Sequence, residues 1–260
     1  MDIYVCVRRV PDTSEVEIEI DRSGRALEED DFSWDINEWD AYAVEAAVQL
    51  KERLGARVTA LTVGDEDDEE VLRRALAMGC DQARLLSDDV FAGADSWVTA
   101  RILAAAMAEP RPDLVLCGAV SADQGRGQVG GFLAGLLDLP LVALATDLQV
   151  EEGSARVRHE VSGGVEHLVD LRLPAVVTVQ TGLNEPRYVS IRGIRKVAGV
   201  EIPVLGAADL GLDPAELQPR VVTEELFPPP QGGGAEILTG SGEEQVERLV
   251  ELLHEHGGLV

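Results

Sequence analysis

The sequence predicts an α/β fold: a mainly parallel sheet with helices on both faces, a β extension and a C-terminal arm. Three observations carry this. Short apolar runs and helical periodicity alternate up to about residue 140. Those runs are continuous rather than alternating, as strands covered on both faces are. After Pro140 the pattern changes to successive strand-like runs, and the chain closes on one further amphipathic helix.

In order, "IYVCVRRV" is a β-rich run expected to end at Pro11, which lacks a backbone donor. "VEIEID", "RSGR" and "ALEED" suggest a small hairpin. From Glu38, "EWDAYAVEAAVQLKERLG" sets Tyr42, Ala43, Ala46, Ala47 and Leu50 on one helical face and stops at Gly55. "RVTALTVG" reads as a strand, "DEEVLRRALAMG" as a helix ended by Gly79, and "QARLLS" as a strand. "ADSWVTARILAAAMAE" is a helix capped by Asp95 or Ser96, and "DLVLCG" a strand. "LVALATDLQVEE", "ARVRHEVSGG", "EHLVDLRL" and "AVVTVQT" then extend the sheet as a hairpin or meander. "NEPRYVSIRGIRKVAG" predicts a loop and short helix, "ADLGLDPAEL" turns, and "FPPPQGGGAE" no regular structure. In "GEEQVERLVELLHEHG", Val246, Leu249, Val250, Leu252 and Leu253 form an apolar side. This helix either folds back on its own domain or packs on another chain. The domains expected are residues 1–205, a nucleotide-binding α/β domain, and 206–260, a linker and helix.

Composition narrows the function. A formal charge of −26, with Lys51 and Lys196 the only lysines, disfavours nucleic acid. The acidity either steers cationic partners or reflects an arginine-biased genome or a high-salt cytoplasm. "EEDD" and "DEDDEE" read as solvated surface. No apolar run reaches the roughly 18 residues of a membrane span, and "MDIYVCVRRVPD" reads as a strand rather than a signal peptide. Cys6, Cys80 and Cys117 share no metal-ligand spacing and are expected as buried free thiols in a reducing cytoplasm. His159, His167, His254 and His256 fit surface positions, and no Ser-His-Asp or Cys-His arrangement is evident.

Between a strand ending at Cys117 and a helix starting near Gln128 lies a loop with Gly118, Gly125 and Gly127, then Gly130 and Gly131. Beyond the carboxyl end of a parallel strand, such a loop brings backbone amides close to a phosphate, and the next helix adds unpaired N–H groups. It is neither "GxGxxG" nor a Walker loop, and a close helix–strand packing turn is the other reading. Asn37 caps the helix at Glu38, hydrogen-bonds an adenine or ribose edge, or does both; Asp12 reads as a turn residue.

Together these elements resemble the beta subunits of electron transfer flavoproteins. The resemblance runs from "VCVRRVPDTSEVEI" through "INEWDAYAVEAAVQLKE", "LRRALAMGCDQARLL", "FAGAD", the glycine loop and "LPAVVTVQTGLNEPRYVS" to the last helix. It implies a Rossmann-like, adenine-nucleotide alpha-hydrolase-like fold and a heterodimer with an alpha subunit carrying FAD on a mobile domain. It also implies electron traffic from dehydrogenases or NADH to an acceptor, with dehydrogenases or quinone reductases as redox partners, by a carrier rather than an enzyme. In such proteins the beta subunit holds AMP, or a second FAD in the bifurcating forms. Matching position by position, the nucleotide would contact Cys6, Asn37, Val63, Asp123, Gln128, Val129 and Gly130.

The loop "DQGRGQVG" departs from both family patterns by placing Arg126 and Gly127 where a Cys-Asn or Thr-Ala pair is usual. Arg126 either contacts a phosphate, which guanidinium binds bidentately, or faces solvent. "VPDT", "FAGAD" and "QVG" lean toward the bifurcating or nitrogen-fixation-linked branch, and so toward a second FAD. The segment after "NEPRY" carries only Arg192, Arg195 and Lys196 instead of a lysine-rich docking sequence; Ser162 and His159 also depart from the family pattern. Two rival classes are a stand-alone nucleotide-binding module and a nucleotide-hydrolysing enzyme. The C-terminal linker and helix argue against the first, and the lack of "SGGxDS" or "HxGH" against the second.

Overall fold

The computed structural model describes residues 1–14, 16–230 and 234–256. The elements are β1 (Asp2–Cys6), β2 (Arg9–Asp12), β3 (Ser33–Ile36), α1 (Glu38–Leu54), β4 (Arg57–Val63), α2 (Glu69–Met78), β5 (Gln82–Leu86), α3 (Ser96–Ala106), β6 (Leu114–Gly118) and α4 (Val129–Leu137). Then come β7 (Leu141–Glu151), β8 (Ser154–Val161), β9 (Val165–Arg172), β10 (Ala175–Val179), α5 (Ile191–Val197), β11 (Val204–Leu205) and α6 (Gly242–Glu255). They fall into two compact units, residues 1–19 with 27–224, and residues 20–26 with 225–260.

The first unit holds a nine-stranded sheet in the order β11-β5-β4-β1-β6-β10-β7-β8-β9. All pairings from β11 to β7 are parallel; β7, β8 and β9 form an antiparallel meander. Successive strand residues point to opposite faces. In β1, Ile3 and Val5 meet the core under α1 and α2, while Tyr4 and Cys6 meet the core under α3 and α4. Each fully buried Val, Leu or Ile contributes roughly 1.5–3 kcal/mol, so both faces need helical cover. That is the predicted fold class.

Local structure departs from the sequence reading at several places. The first strand does not run to Pro11: it ends at Cys6, and Pro11 lies inside β2, opposite Trp34 in a separate two-stranded ribbon with β3. Both strands of such a ribbon are edges, where a proline is tolerated. The expected hairpin around Asp21 forms only in reduced size: antiparallel bonds run from Asp21 N–H to Ala26 O and from Glu28 N–H to Glu19 O, without extended strands on either side. Ile18 is 53% exposed there, so the alternating residues have no sheet to cover them. The run "AVVTV" does not extend the meander but inserts as β10 between β6 and β7. Its five residues are all buried, which an interior position allows and an edge does not.

Residues 206–224, assigned to the arm by sequence, belong to the first unit: Ala207 and Leu217 enter the core beneath α3. Asp95 is the cap of α3, accepting from Val98 N–H, and its second oxygen takes the Arg220 and Val221 N–H groups. In the second unit, α6 starts at a capping box formed by Ser241 and Glu244. No helix among the described residues is long and apolar enough to cross a membrane.

Candidate functional site

After β1 the chain builds β4 and β5 on one side, then returns to build β6 on the other. The direction reverses between β1 and β6. Parallel sheets bind ligands outside the carboxyl ends of strands at such a switch point, and a cleft lies there. With open solvent included, it encloses about 770 Å³. Cys6 and Cys117, register partners on β1 and β6, lie on its floor. Leu61 and Val63 from β4, and Ser96, Thr99 and Leu103 from α3, form a second wall; the loop from Ala119 to Gln128 forms the third.

The loop is anchored at its root. Ala119 N–H donates to Val179 O at 2.9 Å, and Asn37 holds the next stretch with both ends of its amide. Asn37 Nδ2 donates to Val120 O at 2.9 Å, and Ala122 N–H donates to Asn37 Oδ1 at 3.1 Å. The capping reading of Asn37 is therefore corrected: although it stands at the cap position, its side chain makes no capping hydrogen bond to α1. The loop uses it instead. Gly125 and Gly127 both adopt left-handed φ angles, 61° and 60°, and a Cβ on Gly127 would stand 3.3 Å from Ala119 O. Glycine lets the loop turn here without strain. The amides opening α4 then follow with no partner inside their own helix.

Of the predicted site residues, Cys6, Asn37, Val63, Arg126, Gly127, Gln128 and Val129 line the cleft. Asp123 and Gly130 are used otherwise. The Asp123 carboxylate binds Arg8 Nε at 3.0 Å. Burial favours its neutral form, but bonds from Arg8 and Ser121 hold its carboxyl below the usual carboxylate range. Gly130 lets α4 approach the sheet, since a Cβ there would come within 2.3 Å of Thr178 Cγ2 and 3.0 Å of Cys117 Sγ. For that one glycine the packing-turn reading holds. Arg126 lines the cleft and has no ion-pair or hydrogen-bond partner among the described residues.

Sequence reasoning missed Asp40 and Arg8. Asp40 sits in the first turn of α1, where an acid is unremarkable. Its importance comes from approach in three dimensions: Oδ1 accepts Gly118 N–H and Oδ2 accepts Arg8 N–H, both at 2.9 Å. It thus ties the exit of β1 to the exit of β6. Gly118 has no room for a side chain, because a Cβ would stand 2.3 Å from Asp40 Oδ1. Burial pushes the Asp40 carboxyl up to about 7 against the pull of these N–H groups. Burial also raises the Cys6 thiol, and pushes Cys117 and Cys80 up to about 12. At neutral pH all three are thiols, a state unsuited to nucleophilic work.

Comparison with known proteins agrees with this architecture. Residues 25–210 match the electron transfer flavoprotein domain. The chain is 39% identical to "Electron transfer flavoprotein subunit beta" of Bacillus subtilis, with all of both chains covered. The chain belongs to the electron transfer flavoprotein beta-subunit family. It is also 34% identical to the beta subunit of Methylophilus methylotrophus, covering 99% of this chain and 100% of that one. A third relative is the "Caffeyl-CoA reductase-Etf complex subunit CarD" of Acetobacterium woodii, at 38% identity over 93% of each chain. Membership makes this an electron-transfer subunit of a flavoprotein, and the stand-alone and hydrolase readings give way to it.

The cleft has a lining that suits an anionic group such as the phosphate of a nucleotide. It has an apolar floor and a glycine turn that a Cβ would crowd. Helix-start amides with no partner inside α4 and a guanidinium with no anionic partner among the described residues complete it. These donors suit phosphate oxygens.

Proposed function

We propose that this chain binds an adenine nucleotide in the β1/β6 cleft and pairs with an alpha subunit that carries FAD. Arg126 and the backbone of Gly127, Gln128 and Val129 would hold the phosphates, while Cys6, Leu61, Val63 and Leu103 offer apolar surface to the ring system. Asn37 acts one step back, by fixing the loop. When bound, a flavin supplies the electron chemistry, and the protein supplies binding, orientation and electrostatics. The observation that carries the reading is Arg126: it lines a cleft at the switch point with no anion to neutralise it among the described residues.

Between the two nucleotides we favour a second FAD over AMP. The support is the "QVG" of the loop and a cationic Arg126 in place of a neutral residue. The arm at residues 225–260 is the partner-binding element in this reading, because the apolar side of α6 is exposed. Dehydrogenases or quinone reductases of a reducing cytoplasm are the redox partners. The similarity to a subunit of a reductase–Etf complex supports work within such an assembly. The test is co-expression with the alpha subunit, heat release of the bound nucleotides and their identification by mass. About two FAD per heterodimer is expected. One FAD with one AMP keeps the nucleotide site but overturns the choice of cofactor, and one FAD with nothing else overturns the site.

A further inference from the structure

Among the described residues that line the cleft, Asp40 alone is acidic. It is 6% exposed, and both oxygens are occupied by backbone N–H groups from opposite lips of the cleft. Neither bond brings a formal charge. The groups that face Asp40 are the Cys6 thiol of β1, the Cys117 thiol of β6, the Asn37 amide and Arg8. Arg8 is the sole cation among them, and its guanidinium is bonded to Asp123. A buried carboxylate without its own counter-ion therefore lies in the cleft assigned above to an anion.

Filling that cleft acts on Asp40 in two ways. A ligand covers the open side of the cleft and so removes the carboxylate further from solvent, and its phosphates add negative charge to the cleft. Both favour the protonated acid. We propose that nucleotide binding is coupled to the uptake of a proton by Asp40, which positions the two lips of the cleft and sets the pH dependence of its occupancy. The proposal rests on the nucleotide reading of the cleft.

The resting state of Asp40 makes the coupling measurable. Burial already places its carboxyl at about 7, so near neutral pH the free cleft holds a mixture of both forms. The bound state lies higher still. Between the two values the complex carries a proton that the free protein lacks, so affinity is greatest below about pH 7 and declines above it. The decline is at most about tenfold per pH unit, the limit for a single proton.

The experiment is calorimetric titration of the full chain with ADP-ribose, whose phosphates keep a constant charge from about pH 6 to 8.5. Two buffers of different ionisation heat give the proton count. Wild type is expected to take up a fraction of one proton near neutral pH and to weaken progressively above it. Asp40→Asn, a neutral isostere checked for folding by circular dichroism, is expected to bind with neither proton uptake nor pH slope. Zero uptake or proton release by wild type overturns the proposal, and so does an unchanged slope in Asp40→Asn. If that variant does not fold, the wild-type proton count decides alone. Failure of wild type to bind either ADP-ribose or AMP removes the nucleotide reading, and this proposal with it. Binding without proton uptake removes only the coupling.

Discussion

In α1 the apolar side lies against the sheet, where Ala43, Val44, Ala47 and Val48 are no more than 1% exposed. In α6 the corresponding side, Val246, Leu249, Val250 and Leu253, is 39% to 61% exposed. Both helices show the same apolar periodicity in sequence. The first is held by its burial, whereas the second is held by local devices: the Ser241–Glu244 capping box and ion pairs from Arg248 to Glu251 and Glu255. Isolated helices of about this length are marginal in water. The difference teaches that periodicity announces a face to be covered without saying what covers it. In α1 the cover is this chain's own sheet; for α6 the proposed cover is the alpha subunit.

Breaking α1 has the largest expected effect. Val44→Asp places an unpaired carboxylate in a fully buried position, at a cost of several kcal/mol. Against a total of about 5–15 kcal/mol, the expected outcome is loss of the cooperative melt and of most folded protein, read by circular dichroism.

A smaller effect is expected where α1 is tied to the "NEPRY" segment. Arg187 bonds Glu45 Oε2 at 2.7 Å and Glu52 Oε1 at 2.7 Å, and the Glu45 side chain is 5% exposed. Arg187→Met leaves Glu45 buried without its cation and should lower stability by about 1.5–3 kcal/mol in chemical denaturation. Hydrogen exchange should rise in α1 and in the segment around Tyr188. An unchanged midpoint would mean that this tie is ornamental.

The least stability change is expected in α6. Leu249→Asp alters an exposed position and should move the stability of the isolated chain by no more than about 0.5 kcal/mol. It should nevertheless abolish copurification with the alpha subunit. Retained copurification would break the contrast between the two helices.

Much of the fold was readable because its signals are local. The α/β alternation, the glycine stops at Gly55 and Gly79 and the cap at Asp95 each depend on a few neighbouring residues. The interior place of β10 was not readable, since a run of five apolar residues does not say which strands flank it. Pro11 misled because its rule concerns ladders, and β2 forms only an edge ribbon. At the site, the loop and its flanks lie at the cleft, with Arg126 and Gly127 among its lining residues. Asn37 and Asp40 escaped a correct reading for one reason: their partners, Val120, Ala122, Gly118 and Arg8, are remote in sequence or joined only through the sheet.

The central claim is that the turn at Gly127 and the start of α4 grip a nucleotide. It is tested most directly by counting adenine nucleotides released per beta chain, above the FAD of the alpha subunit, from wild type and from Gly127→Val. Gly127 has φ of 60°, which a β-branched residue resists, and a Cβ there crowds Ala119 O. The account predicts about one equivalent from wild type and close to none from a folded Gly127→Val. Equal release from both, or none from wild type, would contradict it.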